Sequence, residues 1–156
     1  QGHRSIAGIF KSDDMQGLLR YAGYAQALRD LGLPLEDGQI YWYNTETKNA
    51  ILSGAFLDAV LEGFAGCSAV VCYNDEVAIR VISHLRRRGA RIPEDMAVVS
   101  FDNSQYSDLA PVRITSLSHG GQNLGELSAQ LMLSLLRGED SQSQVVPWQL
   151  IRKESG

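Results

Sequence analysis

The sequence predicts an α/β fold: a doubly wound parallel sheet in a three-layer, flavodoxin-like arrangement. Three features lead there. Short apolar runs alternate with longer amphipathic ones along nearly the whole chain. Two of the runs, Ala69 to Cys72 and Met96 to Phe101, are almost wholly apolar, as in strands covered on both faces of a parallel sheet. Polar clusters follow three of the runs directly, at the carboxyl ends of the strands, where doubly wound folds place their sites.

The first strand is Ile6-Ala7-Gly8-Ile9-Phe10. A helix from about Asp14 to Leu31 follows, with Leu18, Tyr21, Ala22, Ala25 and Leu28 spaced for one apolar face. Asp13 or Asp14 can cap its start and Gly32 can close it. A strand from Gln39 to Tyr43 comes next, then a helix from Ala50 to Gly63. The strand Ala69 to Cys72 leads into a third helix, from just after Asn74 to about Arg88, with Gly89 placed as its left-handed cap. The turn Ile92-Pro93-Glu94-Asp95 enters the strand Met96 to Phe101. Beyond a polar loop, the pattern gives a strand near Arg113 to Leu117 and a helix from about Gln122 to Leu136. Residues Val145 to Ile151 form a last strand.

The chain has 156 residues, 44% of them apolar and 21% charged, which suits one domain with a sizeable core. No apolar run approaches the roughly 20 residues that span a bilayer, and no basic segment followed by an apolar stretch marks secretion. The opening Gln1-Gly2-His3-Arg4 reads as a cut into a longer protein. The net charge of −4 gives the chain as a whole no attraction for nucleic acid. Cys67 and Cys72 form no CxxC motif and are expected to be reduced, buried thiols, as in a cytoplasmic protein.

The clusters after the strands are Lys11-Ser12-Asp13-Asp14, Asn74-Asp75-Glu76 and Asp102-Asn103. In a parallel sheet they share one edge. Carboxylates, amides and guanidinium groups suit a small polyhydroxylated ligand, whose hydroxyls both donate and accept. Each residue taken singly is equally explained as a helix or turn cap. Tyr41, Trp42 and Tyr43 offer a stacking face for a sugar ring, although burial of at least two in the core is the simpler expectation.

The stretch from Ala69 through Asn74-Asp75 to Ala78 resembles the "A-x-x-x-x-N-D-x-x-A" segment of LacI/GalR-type transcriptional regulators. Gly89 to Asn103, with Ile92-Pro93-Glu94-Asp95 and Phe101-Asp102-Asn103, resembles their "G-x-x-V-P-E-D-I-x-V-V-G-F-D-D/N". Arg20-Tyr21-Ala22-Gly23-Tyr24 is similar to their "R-x-x-G-F/Y". Ser100 stands where Gly is usual, Cys67-Ser68 where Pro-Thr is common, and Lys153 where an Arg is usual.

The resemblance implies a periplasmic-binding-protein-like lobe, with residues 1–156 as the C-terminal part of a sugar-sensing effector domain. It carries Arg20, Asn74 and Asp102 over as effector ligands, with Asp13 and Asp14 close by. Phe10 to Gly17 particularly resembles arabinose-responsive repressors, which points to L-arabinose. Segment 115–138 is expected to cross to an N-terminal lobe outside this chain, with Leu124, Leu127, Leu131 and Leu135 on one stripe. The helix after Asn74 and the loop 104–109 are expected at a homodimer contact centred on Val77, Val81 and Tyr106. Operator DNA would be bound through a domain outside this chain, in the cytoplasm, with no membrane, metal, cofactor or catalysis.

Two other classes share the fold. A periplasmic sugar-binding protein also carries an "N-D-E" segment, but the Pro93-Glu94-Asp95 turn is typical of regulators. An enzyme would need a nucleophile or metal set. His3, His84 and His119 have no metal-ligand spacing, and no serine elbow is present. Gly120-Gly121 with Gly125 only faintly suggests a phosphate loop, and Arg86-Arg87-Arg88 reads as a solvated helix end.

Overall fold

The computed structural model describes residues 1–51, 53–119 and 123–156. The glycines Gly120 and Gly121 and the expected helix start at Gln122 lie outside the described residues. The chain order is β1 (Ile6–Lys11), α1 (Met15–Asp30), β2 (Ile40–Tyr43), α2 (Lys48–Ile51), α3 (Gly54–Gly63), β3 (Ala69–Cys72), α4 (Asp75–Arg87), β4 (Ala97–Phe101), α5 (Gln105–Leu109), β5 (Thr115–Ser118), α6 (Leu124–Leu136) and β6 (Gln149–Ile151). The strands form one six-stranded sheet in the order β2-β1-β3-β4-β5-β6. Its first five strands are parallel, and β6 runs antiparallel to β5. This is the doubly wound sheet that the alternating pattern predicts, closed by one antiparallel edge.

Strand alternation divides the core into two layers. On one face Ala7, Ile9, Val70, Cys72 and Val98 meet α3 and α4. On the other, Phe10 gathers Tyr24, Ala25 and Leu28 of α1. Tyr43 is buried in the first layer with Tyr41 packed beside it, and Trp42 packs into the second. All three aromatics of β2 therefore serve the core. Cys67 and Cys72 are free and buried, and burial pushes the Cys72 thiol up.

The helix ends follow from their caps. Asp14 accepts from Gly17 N–H at 2.7 Å, and Asn74 accepts from Val77 N–H at 3.1 Å. Gly89 has φ +83°, the left-handed value that lets the chain turn after α4. Gly17 is required by close approach: a Cβ there would stand 1.9 Å from the Lys11 carbonyl oxygen. Only glycine lets the first turn of α1 close over the end of β1.

Several expectations need correction. The single helix expected over 50–63 is two helices, α2 and α3. The polar loop after β4 contains α5, whose Ser107 is buried. Thr115 to Ser118 does not leave for another lobe; β5 pairs with β4 in this sheet. Only α6 stands off, with no buried residue along its length.

Val77 and Val81 were expected at a dimer surface, yet they are 1% and 0% exposed. With Ala78, Ile82 and Leu85 they make the stripe of α4 that faces the sheet. A residue covered by its own lobe cannot anchor a second copy. Tyr106, 44% exposed, remains on the surface.

Candidate functional site

The carboxyl ends of β1, β3 and β4 bring the predicted residues to one edge. Arg20, from α1, connects them. One guanidinium nitrogen donates to the Tyr73 carbonyl at 2.5 Å and another to Asp102 Oδ1 at 2.6 Å. The Tyr73 and Phe101 rings each lie 4.7 Å from the guanidinium carbon, within cation–π range. The Arg20 side chain is thus almost enclosed, whereas the Asp102 carboxylate is 42% exposed. A fixed donor next to an accessible acceptor is an arrangement that can read vicinal hydroxyls.

Asp102 has φ 93° and Asn103 φ 45°. Asp and Asn tolerate the left-handed region better than other side-chain-bearing residues, at some cost. The kink is held from below. Asp102 N–H donates to the Leu117 carbonyl at 2.8 Å, and Asn103 N–H donates to Ser116 Oγ at 3.0 Å. Asp102 Oδ2 and the Asn74 amide NH2 have no protein partner among the described residues. The edge therefore offers one spare acceptor and one spare donor group.

Asp13 and Asp14 differ from these. Asp13 accepts from Thr45 N–H at 2.9 Å and pairs with Lys11 at 3.1 Å. The Thr45 bonds, aided by Lys11, hold its carboxyl down at about 2. Asp14 caps α1 and also accepts from Lys11 Nζ at 3.0 Å and the Tyr73 hydroxyl at 2.8 Å. Its partial burial would raise the pKa, but the Gly17, Tyr73 and Lys11 donors outweigh it and keep the carboxyl below its usual range. Burial, with the bond to Asp14, pushes the Tyr73 phenol up to about 12, so it stays a donor. Both carboxylates are occupied in shaping the edge.

Sequence reasoning missed Asp75. Only 1% exposed, it accepts from the Ser100 and Ser116 hydroxyls and from Ser104 N–H and Oγ. Four donors satisfy a buried carboxylate that would otherwise be costly. This explains Ser100 at a position where Gly is usual: its hydroxyl is one of the four. Lys153 also gains a role. Its ammonium donates to Asn103 Oδ1 at 2.9 Å and Ser107 Oγ at 2.7 Å, and pairs with Asp108 at 2.9 Å. It clamps the loop that carries Asp102. Tyr73 and Phe101 were missed too, although each directly precedes a predicted ligand residue.

Below Arg20 a largely apolar groove of about 610 Å³ runs down the sheet face between α1 and Trp148, over Val71, Val99 and Leu117. Among the described residues, no cluster of His, Cys, Asp and Glu can hold a metal. No helix among them is long and apolar enough to cross a membrane.

The family profile of the periplasmic binding protein-like domain matches residues 1–155. The arabinose metabolism transcriptional repressor of Halalkalibacterium halodurans is 34% identical over 138 residues, 88% of this chain and 37% of the repressor's own length. Among solved structures, a transcriptional regulator CelR–cellobiose complex superposes with a TM-score of 0.84 at 29% identity, over 99% of this chain and 47% of that one. A sugar-binding LacI-family regulator from Escherichia coli, complexed with phosphate, gives 0.77 at 28% identity, over 99% and 55%. The chain thus spans roughly a third to a half of the length of these relatives, which are transcriptional regulators. The chain belongs to the periplasmic binding protein-like domain family, in the branch represented by LacI-type transcriptional regulators.

Proposed function

We propose that this chain is the C-terminal part of the sugar-sensing domain of a LacI/GalR-type regulator, with Arg20, Asn74 and Asp102 reading the effector's hydroxyls. The observation that carries the reading is the Arg20–Asp102 pair: an enclosed guanidinium next to an exposed carboxylate at the carboxyl edge of the sheet. L-Arabinose is the first candidate effector, from the likeness to an arabinose metabolism repressor. Asp13 and Asp14 act with Lys11 as the floor of the site.

The rest of the reading concerns the longer protein. The apolar face of α6 packs with a second lobe, and the sugar is held between the two. The protein works as a homodimer in the cytoplasm and binds operator DNA through a domain outside this chain. Self-association uses the outer face of α4 and α5, with Tyr106 and Leu109 as exposed anchors and Ile79 beside them. Sugar binding shifts operator affinity with no chemical turnover, as a coupling free energy between two sites.

Calorimetry of the full-length protein against L-arabinose, D-xylose, D-ribose, D-glucose and cellobiose tests the reading. Saturable binding of one of them, unaccompanied by any product, supports it. Failure of all five to bind contradicts it.

A further inference from the structure

A run of stacked side chains extends along the same edge, beyond the residues that contact Arg20. The His119 ring lies 3.9 Å from the Trp148 ring, centroid to centroid. Trp148 meets Phe101 edge-on at 6.1 Å. Phe101 in turn lies 4.7 Å from the Arg20 guanidinium, and Tyr73 lies at the same distance from it. The run is unbroken from His119 to the residue whose carbonyl Arg20 grips.

Its far end has a special place in the chain. His119 directly follows β5 and Trp148 directly precedes β6. These strands pair antiparallel, with Ser118 opposite Gln149, so His119 and Trp148 are the next facing pair. Between them the chain makes the α6 excursion, and α6 itself has no buried residue. The two rings therefore stand at the stem where the chain leaves the lobe and returns. His119 is fixed further by a 3.1 Å hydrogen bond to the Val146 carbonyl, on the returning strand side.

We infer that this stack couples the Arg20–Asp102 pair to the stem of the α6 excursion, with Trp148 as the positioning residue that joins them. A ligand oxygen that competes for the guanidinium shifts a group held by electrostatic attraction to the Phe101 face. Phe101 and Trp148 meet in the edge-to-face geometry that aromatic pairs prefer, so the displacement is passed to the next ring. Transmission through the stack, rather than space filling, is what a coupling measurement reads. Its consequence for sugar sensing rests on the function proposed above; the coupling itself does not.

In a ¹⁵N–¹H spectrum of the full-length protein, the indole signal lost in Trp148→Phe identifies Trp148. The coupling predicts that Arg20→Gln and Phe101→Leu each move that signal by more than its linewidth. Arg29→Gln, on the same helix but remote from the stack, leaves it in place. Adding Arg20→Gln to Phe101→Leu moves it no further, because the link is already broken. If Arg20→Gln does not fold, Asp102→Asn perturbs the same guanidinium from an exposed position. An unmoved Trp148 signal in a folded Arg20 or Asp102 variant overturns the inference.

The ligand arm uses L-arabinose, D-xylose, D-ribose, D-glucose and cellobiose on the full-length protein. Trp148→Ala should weaken the sugar that binds by about tenfold, with Trp148→Phe restoring most of the loss. Equal affinity in the two variants overturns the role assigned to Trp148. Absence of any sugar binding, with ligand-free coupling intact, contradicts only the proposed function.

Discussion

Arg20 and Asp102 are 82 residues apart in the chain and 2.6 Å apart in space. One comes from the second turn of α1 and the other from the kink after β4, so the pair forms only when β1, β3 and β4 are side by side. The parallel sheet thus brings residues of two separate sequence motifs together at one edge. Among the described residues, one oxygen of Asp102 and the amide of Asn74 are left without protein partners at this edge.

The buried network around Asp75 is the structural base of that edge. Asp75→Ala leaves the Ser100, Ser116 and Ser104 donors without their acceptor, at a cost of about 2–4 kcal/mol. Ser100→Gly removes one donor and costs about 1 kcal/mol. Urea denaturation should show both, and the double variant should fall short of their sum because the two share one network. Simple additivity would contradict the network.

Acid sensitivity follows from Asp13 and Asp95, both held at about 2: Asp13 by Thr45 first, then Lys11, and Asp95 by Arg91. Their unfolded value is 3.8. The depressed folded pKa means the unfolded chain takes up protons first as pH falls. Their stabilisation is therefore complete above pH 4 and is lost between about 4 and 2. Melting temperature against pH should fall less steeply there in Asp13→Asn and Asp95→Asn. An unchanged slope would contradict the assignment.

Val81 of α4 is buried, whereas Tyr106 of α5 is exposed. Val81→Asp places a charge in the core and should abolish cooperative folding, since an unpaired buried charge costs several kcal/mol. Tyr106→Asp and Leu109→Asp should leave melting nearly unchanged and shift a full-length dimer toward monomer by light scattering. A Tyr106→Asp, Leu109→Asp protein that stays wholly dimeric would remove this face from the self-contact.

Gly17 tests the local construction of the site. Its Cβ-free approach to the Lys11 carbonyl sets the Asp14 cap. Gly17→Ala should cost more than the usual gain of alanine in a helix, lowering stability by roughly 1–3 kcal/mol in urea denaturation. A neutral or stabilising result would contradict the close approach.

Much of this was legible in the sequence. The positions of the six strands follow from the apolar runs, and the three polar clusters do come to one edge. What was lost was lost for physical reasons. Residues 105–109 read as loop because their polar side chains hide a helix fastened by Ser104 and Ser107. Asp75 stood out only as one member of the cluster after β3, because its donors come from β4, β5 and the α5 entrance. Val77 and Val81 were legible: with Ala78, Ile82 and Leu85 their spacing marks the core face of α4, and only the positional likeness placed them outside. The turn of β6 against β5 leaves no mark in a three-residue strand.

Arg20 and Asp102 are proposed to read the effector together. The most direct measurement is calorimetry of full-length Asp102→Asn and Arg20→Ala proteins against the sugar that the parent binds. Asn at 102 still tolerates the left-handed backbone, so that variant isolates the carboxylate. Loss of one charged hydrogen bond to a buried sugar hydroxyl costs about 2–3 kcal/mol, or roughly 30- to 150-fold in affinity. Both variants should show that loss of sugar affinity. Parent-like sugar affinity in both variants would contradict it.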